Sequence, residues 1–328
     1  GFVTRSKDKY DLVQVGLLDS FAVSGSGVQS LNENYLYTVE AMQAYLEHLE
    51  PGGLLAITRW MKVPPRDSLK LAATLIEAMR RNGADRPERQ LAVIRSWNTV
   101  TLLARNGEFT DTEIPIIREF AQEKSFDTAY YPSMLTEEAN RFNQLDQPWL
   151  YEGIRALTGE HAVQFIDDYK FHIEAATDDS PYFFRFFKWR VLPEVLELRK
   201  RGGAGLVEWG YLVLVATFVQ ALLFGLLLVL LPLLLARRDW PAVEGGRMGF
   251  YFFLLGLAFL FVEMAFIQKF ILFLSHPLYS VAVVLAGFLV FAGLGSRYSE
   301  NLAEALEKRG HSPVRSAVSV IILLVLSY

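Results

Sequence analysis

The chain has no cysteine. Disulfides, thiolate metal sites and cysteine nucleophiles are therefore excluded, although no compartment follows from that absence. Histidine is scarce, with five residues in 328. His48, His161, His172 and His311 show no metal-ligand spacing, so no metal is expected. A charge excess of one sign is lacking too. The 32 basic and 36 acidic residues leave a net charge of −4, and nothing overall points to nucleic acid. No G-x-G-x-x-G fingerprint is present, since Ser24-Gly25-Ser26-Gly27 does not fit it. No signal peptide is visible. The chain opens at Gly1 without Met and stops at Tyr328 inside an apolar run, so the expectation is part of a longer protein.

Long apolar runs are absent up to about Glu208 and dominate after it. The overall 52% hydrophobic content therefore averages a soluble half and a membrane half. In the soluble half, Asp11–Leu17 is apolar at nearly every position, as a strand buried on both faces should be. A polar loop, Asp19–Asn34, follows. Tyr37–Leu49 places Val39, Met42, Tyr45, Leu46 and Leu49 at helical spacing, and Pro51-Gly52-Gly53 is expected to stop that helix. Leu54–Trp60 reads as a strand. Asp67–Arg81 reads as a helix capped by Asp67 or the residue before it. Leu91–Trp97 and Val100–Arg105 read as a hairpin turning at Asn98-Thr99, and Thr112–Glu123 as a helix. Alternating strands and helices argue for an α/β, doubly wound parallel sheet with helices on both faces. A closing hairpin is what the class I methyltransferase variant of that Rossmann-like fold has. Ligands of such sheets sit at the carboxyl ends of the strands. Asp19 lies just past one such end, so it is either a site carboxylate or the cap of a turn.

The segment YDLVQVG, then Asp19, then LYTVEAMQAYLEHLEPGGLLAI resembles the second half of the spermidine synthase family. Leu36, Tyr37, Thr38, Glu40, Pro51, Gly52 and Gly53 match its L-[FY]-T-x-E helix start and P-G-G turn. Two departures stand out. Gly16 occupies the position of the first of two family aspartates, the proton acceptor for the attacking amine. Asp19 has the second position, without the proline that usually follows. The resemblance implies an S-adenosylmethionine or decarboxylated S-adenosylmethionine donor and an amine or membrane-associated acceptor. It makes Asp19 the catalytic candidate and Tyr37, Glu40, Asp178 and Asp179 substrate-binding candidates. It places the donor-binding glycine turn and ribose acid upstream of Gly1, so this chain alone is not expected to hold the cofactor.

Residues 1–130 are thus read as a partial Rossmann-like domain and 131–209 as a linker. In Thr177–Arg190, TDDSPYFFRFFKWR, a turn precedes aromatic and basic residues suited to a membrane–water boundary. A short interfacial helix is expected over Pro193–Arg201. Residues 210–236, 248–274 and 278–295 are apolar enough to span a bilayer, and 316–328 begins a fourth span. The T-D-D-x-P-[FY]-F-F, V-E-[IM]-A-x-I-Q-[KR] and H-P-x-Y patterns resemble membrane-integrated bacterial relatives of spermidine synthase. They imply a multi-pass inner-membrane protein with a cytoplasmic domain, an oligomer being possible.

Glu263, Gln268 and His276 are the polar candidates within the spans. A central charge costs about 3 kcal/mol on insertion scales. Lys269 can snorkel and Glu263 cannot. Glu263 is expected to face other helices, either on a polar path or hydrogen-bonded to a neighbour such as Gln220. Basic residues balance on the two sides of the spans, so charge does not orient the chain. Two functions fit: a membrane-bound S-adenosyl-dependent transferase, or a ligand-sensing domain that regulates a transporter-like bundle.

Overall fold

The computed structural model describes residues 6, 8–17, 32–193, 209–235, 242–274 and 277–327. The chain divides into two compact units, Gly1–Leu227 and Leu228–Tyr328.

The first unit is built on a mixed five-stranded sheet in the order β1-β2-β4-β3-β5. Its strands are β1 (Tyr10–Val15), β2 (Leu49–Trp60), β3 (Leu91–Arg95), β4 (Thr99–Arg105) and β5 (Asp127–Tyr130). Among the described residues β1–β2 is the one parallel pair of neighbours; β4 is antiparallel to both β2 and β3, and β5 is antiparallel to β3. The hairpin forms as expected, but its second strand inserts beside β2, which makes the sheet mixed rather than parallel. β5 was not legible, because four residues give too short a pattern to count.

Strand β1 departs from its expected burial. Leu12 is 55% exposed, and most of the strand is exposed or half-buried. Among the described residues β1 pairs only with β2, so it forms an edge. An apolar run specifies a strand but not what covers it.

Helix α1 (Val39–Glu47) begins where Thr38 adopts an extended conformation and its Oγ1 accepts from the Ala41 N–H at 3.2 Å. This is N-cap geometry. It buries Val39, Met42, Tyr45 and Leu46. It stops at Glu47, before Pro51-Gly52-Gly53, which lies within β2. There Gly52 has φ +85°, and a Cβ on Gly53 would lie 2.9 Å from the Tyr10 carbonyl oxygen. The glycines thus serve a close approach between β2 and β1 rather than a helix stop. Helix α2 (Asp67–Arg81) is buried along almost its whole length. Arg66 is its N-cap residue but makes no side-chain cap bond, so neither expected capping arrangement forms. Helix α3 (Glu113–Glu123) packs against β5.

Residues 131–193 are folded onto this unit rather than forming a linker. Helix α4 (Trp149–Thr158) buries Leu150, Tyr151, Ile154 and Leu157 and packs on α2 and on α5 (Ala162–Asp168). The close contact is at Gly153, where a Cβ would fall 2.5 Å from Leu69 Cδ2. The aromatic segment is also redistributed. Phe183, Phe184 and Phe186 are buried in the core, not placed at a boundary, because fixed cations of the sheet and α2 face them. Phe187 and Trp189 instead meet Tyr211, near the start of α6 (Trp209–Leu235). Most of the expected helix 193–201 and most of the loop 19–34 lie outside the described residues.

Among the described residues three helices are long and apolar enough to cross a membrane, over Tyr211–Leu228, Gly246–Leu274 and Tyr279–Lys308. They belong to α6, α7 (Ala242–Leu274) and α8 (Pro277–Lys308). The expected fourth, α9 (Pro313–Ser327), is shorter. In the second unit α7 packs on α8, with Ser280 and Val284 of α8 buried.

Candidate functional site

A group of buried polar side chains gathers at the carboxyl end of β2. Arg59, at the end of β2, is fully buried. Removing such a charge from water costs several kcal/mol unless partners meet it. Its Nη1 donates to the Tyr37 hydroxyl at 3.1 Å, and its Nη2 lies 3.7 Å from Asp67 Oδ2. Its guanidinium carbon sits 5.0 Å from the ring centroids of both Tyr37 and Phe184. The negative faces of aromatic rings stabilise a cation in this way. Lys62 and Arg66 also approach Asp67, at 3.4 and 4.0 Å. One carboxylate in the first turn of α2 therefore faces three cations, and the helix dipole favours it there.

One turn along α2, Lys70 is 2% exposed. Its Nζ donates to the carbonyl oxygens of Tyr182 and Arg185, both at 3.2 Å. The ring centroids of Phe183 and Phe186 lie 5.9 and 5.5 Å from that nitrogen. These cations bind the segment 182–186 to α2 and β2.

The expected substrate-binding residues fall into two groups. Tyr37 is buried beneath Arg59 and stacks near Phe183 at 4.8 Å. Glu40 is at the rim, where its Oε1 accepts from Arg81 Nη1 at 2.9 Å and its Oε2 accepts from the Asp178 N–H at 2.9 Å. Burial works against ionisation of Glu40, but the backbone N–H bonds and Arg81 hold its carboxyl below the usual range. The structure thus brings Glu40 and Asp178 together through a main-chain bond. Asp178 and Asp179 are exposed in a turn closed by the Ser180 N–H donating to the Thr177 carbonyl at 2.9 Å. Tyr35 joins the same rim. Its hydroxyl donates to Glu33, and that bond raises its pKa. Gly16 lies just beyond β1, and a Cβ there would meet nothing within 4 Å. Asp19 and His276 lie outside the described residues.

Arg59, Asp67, Arg66 and Lys70 were not anticipated. The available signal was a set of charges in otherwise apolar runs, in LLAITRW and DSLKLAATLI. A second buried pair, also unanticipated, joins Arg95 to Asp127 at 3.1 Å. Asp127 also accepts from the N–H groups of Arg141, Phe142 and Asn143 at 2.6, 2.7 and 2.8 Å. Burial opposes ionisation of Asp127, but these bonds bring its carboxyl below the usual range. They pin the loop beside a small cleft lined by Arg118, Phe126, Glu138 and Arg141.

In the second unit Glu263 is half-buried, whereas Gln268 and Lys269 are exposed. No described hydrogen bond or ion pair reaches Glu263. Gln220, its suggested partner, is exposed on α6.

The described residues contain no glycine-rich turn after a strand. Glu40, the acid at the rim, is bonded to Arg81 and Asp178. Among the described residues no group of three histidine, aspartate or glutamate side chains is placed to hold a metal ion. No protein-family model, curated protein or solved structure matches the chain.

Proposed function

We propose that the protein is a membrane-bound, spermidine synthase-like transferase that takes its group from an S-adenosyl donor. The observation that carries this reading is the strand arrangement: parallel β1 and β2, with β4 inserted antiparallel between β2 and β3. An antiparallel strand inserted in this way supports a methyltransferase-type closing hairpin. The L-Y-T-x-E residues stand in support of it, with Thr38 capping α1 and Glu40 at the rim beside the acidic turn. An acidic rim suits a cationic amine acceptor. Asp19 is the candidate base on this reading. The proposed setting is a bacterial inner membrane with the sheet on the cytoplasmic side.

The test is transfer from labelled S-adenosylmethionine or its decarboxylated form to amines, using the complete gene product in membranes. Asp19→Asn is expected to abolish transfer while leaving the protein folded. Undiminished transfer by that variant removes Asp19 from the mechanism, and no transfer to any amine or membrane acceptor removes the reading.

A second reading has its own observation. Tyr37 is fully buried and Glu40 is bonded on both oxygens, so two expected substrate contacts serve the fold. That favours a ligand-sensing domain regulating the membrane helices. Donor binding without turnover would distinguish it.

A further inference from the structure

We propose that the α7–α8 face around Glu263 binds a lipophilic organic cation through the carboxylate and the neighbouring phenylalanine rings. Phe259 and Phe266 of α7 both meet Phe288 of α8 edge-on, with centroids 5.2 and 5.7 Å apart. Glu263 follows Phe259 by four positions and precedes Phe266 by three. That spacing puts it on the same helix face, between the two rings. It is half-buried there.

The α8 surface at this level supplies no counter-charge. Between Tyr279 and Ser296 only Tyr279 carries an ionisable group. Lys269 is six positions along α7, on another face, and is exposed. A Cβ added at Gly256 or Gly287 would meet nothing within 4 Å. A carboxylate in hydrocarbon is costly unless it is neutralised or paired. A hard metal ion would need several oxygen ligands, and among the described residues no group of three histidine, aspartate or glutamate side chains is placed to hold one. Aromatic faces beside a single carboxylate match an organic ammonium or phosphonium ion, whose charge is diffuse and whose body is apolar. Such a molecule reaches the site by partitioning into the bilayer. The inference is independent of the transferase reading.

The experiment uses the full chain in lipid nanodiscs with radiolabelled tetraphenylphosphonium as the probe. Saturable binding is expected, with neutral triphenylphosphine oxide failing to compete. Glu263→Gln should weaken binding by at least about tenfold, and Phe288→Leu by roughly threefold or more. Glu263→Asp should retain the site, and Gln268→Ala, on an exposed position, should leave it unchanged. Absence of saturable binding, equal binding by Glu263→Gln, or unaltered binding by Phe288→Leu each overturns the proposal. Should Glu263→Gln fail to fold, a lipid-soluble carbodiimide gives a second route. Excess tetraphenylphosphonium is expected to protect Glu263 from modification, read by mass spectrometry, and lack of protection overturns the proposal.

Discussion

Arg59 and Glu263 both place one charge in an apolar run, and their surroundings differ in kind. Around Arg59, groups from distant parts of the chain converge: the Tyr37 hydroxyl, the Asp67 carboxylate and the rings of Phe183 and Phe184. Around Glu263, the neighbouring helix α8 contributes an aromatic ring and a stretch without basic residues. A globular unit with connecting loops can return a partner segment over a buried charge. A pair of adjacent apolar helices has only its own facing residues to offer. The buried arginine is consequently part of the fold, whereas Glu263 has no described partner.

The largest expected effect tests the first half of that contrast. Asp67→Ala leaves Arg59, Lys62 and Arg66 without their shared carboxylate, and breaking a buried pair from one side costs about 3–5 kcal/mol. Denaturant unfolding of the globular unit in the full chain, followed by tryptophan fluorescence, should show it. The double change Arg59→Met with Asp67→Leu should cost less than Asp67→Ala alone. If it costs more, the arginine's ring contacts outweigh the ion pair.

Next is Gly153→Ala. Its new Cβ would overlap Leu69 at 2.5 Å, and overpacking of this kind costs about 1–3 kcal/mol. A neutral result would mean that α4 is loosely docked and that the segment returning over Arg59 is not held by packing there.

Thr38→Ala removes the cap of α1 and should cost about 1 kcal/mol, with Thr38→Ser restoring most of it. Loss of activity without loss of stability would instead give this motif residue a role in ligand binding.

Glu40 should contribute a few tenths of a kcal/mol, since it is partly exposed and its pair with Arg81 is screened. Its folded-state pKa is depressed, so that contribution is present above the unfolded-state carboxylate pKa and fades as pH falls through the folded one. Glu40→Gln should therefore narrow its stability difference from the wild type on acidification below about pH 4.

The smallest effect tests the second half of the contrast. Glu263→Leu should leave thermal stability in detergent undiminished, because no described partner is lost. A marked drop would show that Glu263 is structurally paired, like Arg59.

The division into a mixed globular half and an apolar helical half was determined by the sequence alone, because hydrophobic run length and periodicity are local properties. The same holds for α2, whose expected and observed limits coincide at Asp67–Arg81, and for the start of α1, where Thr38 carries its own cap. Only the tertiary structure decided that β4 lies between β2 and β3, that β1 is an exposed edge, and that Pro51-Gly52-Gly53 belongs to a strand. It also decided that Phe183, Phe184 and Phe186 face buried cations rather than a membrane surface. Aromatic residues next to basic ones suit either setting, since rings attract cations in a protein core as they do at a bilayer boundary. The choice depends on Arg59 and Lys70, more than a hundred positions earlier in the chain, and contacts across that distance leave no periodic trace.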